Sequence, residues 1–235
     1  MVAKLNLILV LIFCTLQTNK TKTMINIKIF EFNSFQENTF ILYDDTKECV
    51  IIDAGCYTED EKKKLTEFIK EQALKPVLLL NTHCHVDHIF GNQFIKNTYN
   101  IEYWAHTGDK PILENAGSFG AVYGFNVETP PSIDKPINDG DTIQFGNSTL
   151  LAIHVPGHSP GSIVFYNEAQ NFMIVGDVLF RGSIGRSDLP GGDHETLING
   201  IRNKLFSKPE NTIVYPGHGP ETSIEYEKEY NPFFN

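Results

Sequence analysis

Residues 81–92 read NTHCHVDHIFGN and follow directly on the apolar run KPVLLL at 75–80. That run is short and uninterrupted, the pattern of a strand buried on both faces. His83, His85, Asp87 and His88 then fall within the next eight positions. Side chains of this kind are seldom buried without partners, so their concentration at a strand end marks a built site rather than packing.

Other strand-like runs end the same way. STLLAIHV (148–155) leads into PGHSPGS with His158, NFMIV (171–175) into GDVLF with Asp177, and TIVY (212–215) into PGHGPET with His218. A rigid sheet that aims loop residues from its strand ends is how α/β proteins make sites. Five imidazoles and two carboxylates suit Zn²⁺ or a similar first-row ion, whereas Mg²⁺ or Ca²⁺ would call for oxygen donors throughout. Seven ligands exceed the needs of one tetrahedral ion. His83 and His85, two apart on extended backbone, point to one side and Cys84 to the other. Asp87 and His88, one turn on, can face a second ion, so two metals are the economical reading.

The rest of the chain alternates in kind. INIKIFEF, NTFILYD and ECVIID read as strands separated by polar turns. TEDEKKKLTEFIKEQAL reads as an amphipathic helix, with Thr58 and Glu61 as a capping box and Leu65, Phe68, Ile69 and Leu74 on one face. A short helix is expected through Phe94, then a strand at IEYWAH. TIQF, STLLAIHV, SIVFY and NFMIV are strands, NEAQ a hairpin turn, HETLINGIRNKLF a helix, and TIVY the final strand. Strands in both halves with helices between them predict two β layers covered by helices.

At 235 residues and 41% hydrophobic, the chain can bury a substantial core. A formal charge of −10 and a pI near 5.2 exclude a nucleic-acid backbone as main partner. The apolar run in MVAKLNLILVLIFC is too short for stable membrane insertion but has the length of a signal-peptide core. TLQTNKTKT offers no small-x-small cleavage site, and Met24 directly precedes a good strand. Residues 1–23 are therefore read as a signal peptide or an upstream extension, and residues 24–235 as a single domain. A start at Met24 implies a cytoplasmic protein; a working signal peptide implies export. Cys49, Cys56 and Cys84 lack regular spacing and are read as packed, reduced thiols.

HCHVDH taken with His158, Asp177 and His218 resembles the metallo-β-lactamase superfamily, over nearly everything from Met24 onward. The resemblance implies a four-layer αββα sandwich of the α/β class. It also implies that His83, His85 and His158 hold one metal, that Asp87, His88 and His218 hold the other, and that Asp177 bridges them. Asp53, in IIDAG, matches an early aspartate that supports the site without ligating. Two Zn²⁺ per chain are expected, with Fe or Mn accepted by the same donors.

FQENTFIL, GDVLFRGSIGRSDLPGGD and YPGHGPET are similar to glyoxalase II-like hydrolases, the hydroxyacylglutathione hydrolases, in their compact single-domain form. The implied reaction is hydrolysis of a small acyl thioester such as S-lactoylglutathione by a hydroxide shared between two ions, with Asp87 and Asp177 as the catalytic carboxylates. Arg181 and Arg186 are the candidate substrate contacts, although GRSD equally suits an Arg186 paired with a nearby carboxylate. Alternatives on the same scaffold are a mononuclear iron persulfide dioxygenase, a lactonase or β-lactamase, and a non-catalytic metal-binding module. His106, His154 and His194 lack ligand spacing and are assigned ordinary packing or surface roles. Oligomeric state is left open.

Overall fold

The computed structural model describes residues 24–235, so the reading of residues 1–23 as a leader lies outside the described residues. Strands β1 (Asn26–Phe32), β2 (Glu37–Tyr43) and β3 (Glu48–Ile52) form an antiparallel meander in which Asn26 faces Tyr43 and Tyr43 faces Cys49. Helix α1 (Glu59–Glu71) then crosses over and returns β4 (Lys75–Leu80) parallel to β3. Helix α2 (Asn92–Tyr99) does the same for β5 (Glu102–Ala105). Helices α3 (Lys110–Glu114) and α4 (Ala116–Val122) follow, and β6 (Lys135–Pro136) completes the six-stranded sheet.

The second sheet is built from β7 (Thr142–Phe145), β8 (Ser148–His154), β9 (Ile163–Asn167) and β10 (Phe172–Gly176) as an antiparallel run. A small hairpin, β11 (Leu179–Phe180) and β12 (Ser183–Ile184), comes next, then α5 (His194–Gly200), and β13 (Ile213–Pro216) lies parallel to β10. Strand β14 (Thr222–Ser223) pairs antiparallel with β13 and leads into α6 (Ile224–Tyr230).

Side-chain alternation sorts the core into three apolar layers. Phe40, Val50, Leu78 and Leu80 of the first sheet meet Phe145, Leu150, Phe165 and Ile174 of the second. Ile41, Ile51 and Leu79, facing the other way, pack against Leu65 and Ile69 of α1 and Ile95 of α2. On the far side Val164, Met173 and Val214 pack against Leu197, Ile201 and Ile224. The four layers αββα follow, as expected. Each fully buried aliphatic side chain contributes about 1.5–3 kcal/mol, so KPVLLL, with Leu79 and Leu80 buried on opposite faces, anchors the whole arrangement.

Helix α1 begins with the expected capping box, in which Thr58 accepts from the Glu61 amide and Glu61 accepts from the Thr58 amide. The expected helix over 194–206 departs from regularity: α5 ends at Gly200 and the backbone continues as a π turn through Ile201–Leu205. The wider turn keeps Leu197, Ile201 and Leu205 all fully buried against the sheet. TIVY is not the last strand, because β14 adds two residues to that edge. Cys49, Cys56 and Cys84 are buried and unpaired, as expected. Among the described residues no helix is long and apolar enough to cross a membrane.

Candidate metal centre

The seven sequence-selected side chains converge at the ends of the two sheets. Two groups of three donors form, His83 with His85 and His158, and Asp87 with His88 and His218. Asp177 stands between them: its Oδ2 lies 3.7 Å from His158 Nε2 and 3.6 Å from His218 Nε2, and its Oδ1 lies 3.4 Å from His88 Nε2.

Hydrogen bonding at the far side of each ring decides which nitrogen faces inward. His158 Nδ1 donates to the Arg186 carbonyl at 2.7 Å, and His218 Nδ1 to the Phe35 carbonyl at 2.9 Å. His88 Nδ1 donates to Asp53 Oδ2 at 3.0 Å. Thr82 Oγ1 gives its hydrogen to Asp53, so at 3.1 Å from His83 Nδ1 it accepts. In the neutral rings each Nε2 therefore presents a lone pair. These lone pairs meet head on: His83 Nε2 is 3.2 Å from His158 Nε2, and His88 Nε2 is 3.3 Å from His218 Nε2. His85 Nδ1 comes within 2.9 Å of His158 Nε2.

Such an arrangement repels itself unless a cation sits among the donors. One proton in a pair would relieve it as an N–H···N bond but would serve only two of the three donors in a group, whereas a metal ion takes all three. Ligand atoms bound about 2.1 Å from one tetrahedral ion stand about 3.4 Å apart, close to the 3.2 and 3.3 Å between the paired Nε2 atoms. The donor set thus fits a first-row metal ion in each group. Asp177 Oδ1 is buried with no hydrogen-bond partner, which suits an oxygen that donates to a cation.

The electrostatics agree. Burial, reinforced by His88 and His158, holds His83 well below the ordinary imidazole range; burial and His158 bring His85 down to about 4. Burial also opposes charge on His88 and His218, but Asp87 and Asp177 outweigh it and raise both. The first group is thus held neutral, whereas the carboxylates favour a positive charge in the second, whether carried by a proton or by a metal ion.

Asp53 lies beneath the donors and bonds to the residues around them. Its two oxygens accept from Asn81 Nδ2, the Thr82 amide, Thr82 Oγ1 and His88 Nδ1, which uses up its acceptor capacity. Although Asp53, His83 and His88 also lie close enough to form a donor group, Asp53 needs no ion to satisfy it. Cys84 turns away, its Sγ 3.4 Å from the Tyr103 hydroxyl. Arg186 lines the site but is held by Asp188 through bonds of 2.7 and 2.8 Å. Arg181 is not at the site; it stacks on Tyr226, 4.6 Å from the ring centroid. His106 and His154 stack on each other instead of joining the centre.

Two supporting carboxyls were not found from sequence. Asp109 accepts from the Cys84 amide, Ser159 Oγ and the Gly161 amide, tying the HCH turn to the PGHSPGS turn and so fixing His83 and His85 relative to His158. Glu37 is fully buried 3.8 Å from His88 Nδ1, and burial pushes its carboxyl well above the usual range. The partners of Asp109 lie 25 or more positions away and His88 lies 51 from Glu37, so no local spacing betrays their place at the centre.

The comparisons with known proteins agree with this geometry. The Metallo-beta-lactamase superfamily model matches residues 33–218. A probable metallo-hydrolase, YqgX, of Bacillus subtilis is 39% identical over 85% of this chain and 93% of its own. A hydroxyacylglutathione hydrolase, GloC, of Haemophilus influenzae is 36% identical over 89% of this chain and 98% of its own. Among solved structures, the BLEG-1 B3 metallo-beta-lactamase superposes with a TM-score of 0.82 at 37% identity, covering 89% of this chain and 100% of that one. TTHA1623 in a di-iron-bound form does so at 0.80 and 34%, covering 88% and 99%. Sheets, layers and the converging histidines and aspartates have a single common explanation: the chain belongs to the metallo-beta-lactamase superfamily, as a metallo-hydrolase.

Proposed function

We propose that residues 24–235 act as one domain, a binuclear metal-dependent hydrolase of small acyl thioesters, with S-lactoylglutathione or a related hydroxyacyl-glutathione as substrate. The observation that carries this reading is Asp177 between two complete donor groups, an arrangement suited to two ions rather than one. His83, His85 and His158 would hold one ion, Asp87, His88 and His218 the other, and Asp177 would serve both. Zinc is the ion favoured by imidazole donors, with iron and manganese accommodated by the same set. Such ions lower the pKa of water to about 7 and draw charge from an acyl oxygen.

The chain's own groups supply the rest. In hydrolysis a carbon–oxygen bond forms from water and the carbon–sulfur bond breaks. Asp87, at the cavity floor, takes one proton from the attacking water and returns it to the departing thiolate; the acid product releases the other to solvent. Thiolate leaves readily, so this site needs no stronger acid. Similarity to the Haemophilus hydroxyacylglutathione hydrolase supports the thioester over a lactam or lactone, and the fully formed Asp87, His88 and His218 group supports two ions over a mononuclear iron dioxygenase.

The test is elemental analysis of purified protein, run beside hydrolysis of S-lactoylglutathione and oxygen uptake with glutathione persulfide. Near two metals per chain with thioester turnover is expected. About one iron with persulfide-dependent oxygen uptake would overturn the reading.

A further inference from the structure

The site opens into a cavity of about 250 Å³ whose floor includes His85, Asp87, His158, Asp177 and His218. Its walls are of different character. The lining takes Ile112, Ala116 and Phe119 from the short α3–α4 pair, Tyr123 at its end, Leu189 and Pro190 from the loop after β12, and Phe35 from the loop after β1. These walls are braced from outside. The Phe35 ring packs edge-on against Tyr123 at 5.5 Å and lies tilted against Phe125 at 5.4 Å, and Phe125 rests on Tyr57 and Phe90. Because the Phe35 and Gln36 carbonyls hold His218 Nδ1, the same loop sets both the metal donor and the apolar wall.

Charge is nearly missing from these walls. Among the described residues Arg186 is the only lysine or arginine that lines the cavity, and Asp188 already holds it bidentately. A charged peptide carrier driven against such a surface would lose its water without gaining partners, at large cost. An alkyl or aryl group would instead exchange water for apolar contact.

We propose that this cavity seats the acyl group of the thioester, and that the favoured acyl group is an alkyl chain or aryl ring, with the charged thiol carrier left at the mouth in water. Ile112, Ala116, Phe119 and Tyr123 are then the specificity-determining residues. This rests on the reading of the site as a thioester hydrolase, and it shifts the preferred substrate from lactoyl toward larger, less polar acyl groups.

The experiment separates the two statements by measuring binding without turnover. S-methylglutathione and S-hexylglutathione are thioethers that cannot be hydrolysed, and their alkyl groups stand where the acyl group would. Calorimetric titration of the metal-loaded full chain is expected to give at least tenfold tighter binding of the hexyl compound, since each buried methylene is worth up to about fourfold. Phe119→Ser and, from the loop after β12, Leu189→Asn are each expected to cut that ratio about fivefold, and Phe119→Leu to keep it. Equal affinity of the two thioethers within twofold would overturn the inference, as would a ratio that neither polar variant changes. If the ratio holds but the metal-loaded protein hydrolyses neither S-hexanoylglutathione nor S-lactoylglutathione, the hydrolase reading falls while the apolar pocket stands.

Discussion

Thr82 Oγ1 lies 2.6 Å from Asp53 Oδ2 and 3.1 Å from His83 Nδ1, so one hydroxyl links the aspartate at the end of β3 to the first histidine after β4. Asp53 also receives His88 Nδ1–H directly. A single carboxylate therefore orients one imidazole in each donor group, which makes it the point where the two halves of the centre are coupled. Outer partners of this kind set ring orientation and basicity, and their loss typically costs 10–100-fold in metal affinity.

Asp53→Asn isolates that role. Residue 53 sits at φ 55°, a left-handed conformation that asparagine tolerates as well as aspartate, so the backbone is not the variable. The amide keeps one acceptor and turns a second position into a donor facing Thr82 or His88. Metal affinity, read by chelator competition, is expected to fall about 10–100-fold. Unchanged retention of metal would show that Asp53 serves the fold and not the centre.

Removing donors outright should change stoichiometry, not only affinity. His83→Ala is expected to lose metal and activity together. Asp177→Asn exchanges one carboxylate oxygen for an N–H₂ group that has no lone pair to offer a cation, so one of the two groups loses its share of the residue between them. Elemental analysis is expected to show lower occupancy in both variants. A two-metal protein at full rate in either would remove that residue from the site.

Gly217 tests how tightly the centre is packed. A Cβ at this position would collide with Asp177 Oδ1 and approach His88 Cε1 to 2.7 Å, and the His88 ring is held by Asp53. Gly217→Ala is expected to cost on the order of 1–3 kcal/mol of stability by overpacking and to reduce bound metal. Gly219→Ala is the control: its φ is +72° but a Cβ there meets nothing within 4 Å. That variant carries only the backbone cost, about 1 kcal/mol, and should keep its metal. Equal metal loss in the two would mean that conformation, not the contact with Asp177, governs the site.

The parts of the molecule legible in sequence are those whose cause is local. KPVLLL is readable because burial on both faces requires an unbroken apolar run, and α1 because its capping box and its buried Leu65 and Ile69 lie within one helix. The donors are readable because each sits directly after such a strand. By contrast α3 and α4, five and seven residues long, carry too few turns to show a period. They hold their shape by packing Ile112, Leu113 and Ala116 on the first sheet, which is a tertiary cause. The cavity wall they form was invisible for the same reason, and so was Asp109, whose three partners come from two distant turns.

The stacked pair His106 and His154 gives a pH prediction away from the metal donors. The rings lie 4.1 Å apart and nearly parallel. His106 Nδ1 accepts the Gly108 amide hydrogen at 3.0 Å, so protonating that nitrogen breaks a bond the fold uses. Burial, aided by His154, lowers the His106 pKa below its ordinary 6.5. The unfolded chain then binds the proton more readily than the folded one, so this group's contribution is fully present above pH 6.5 and is lost as pH falls below it. His106→Asn removes the titration and leaves a side-chain acceptor for the Gly108 amide. Urea midpoints measured at pH 7.5 and 5.5 are expected to fall less in His106→Asn than in the parent chain over that interval; an identical fall in both would show that His106 titrates as it does in the unfolded state.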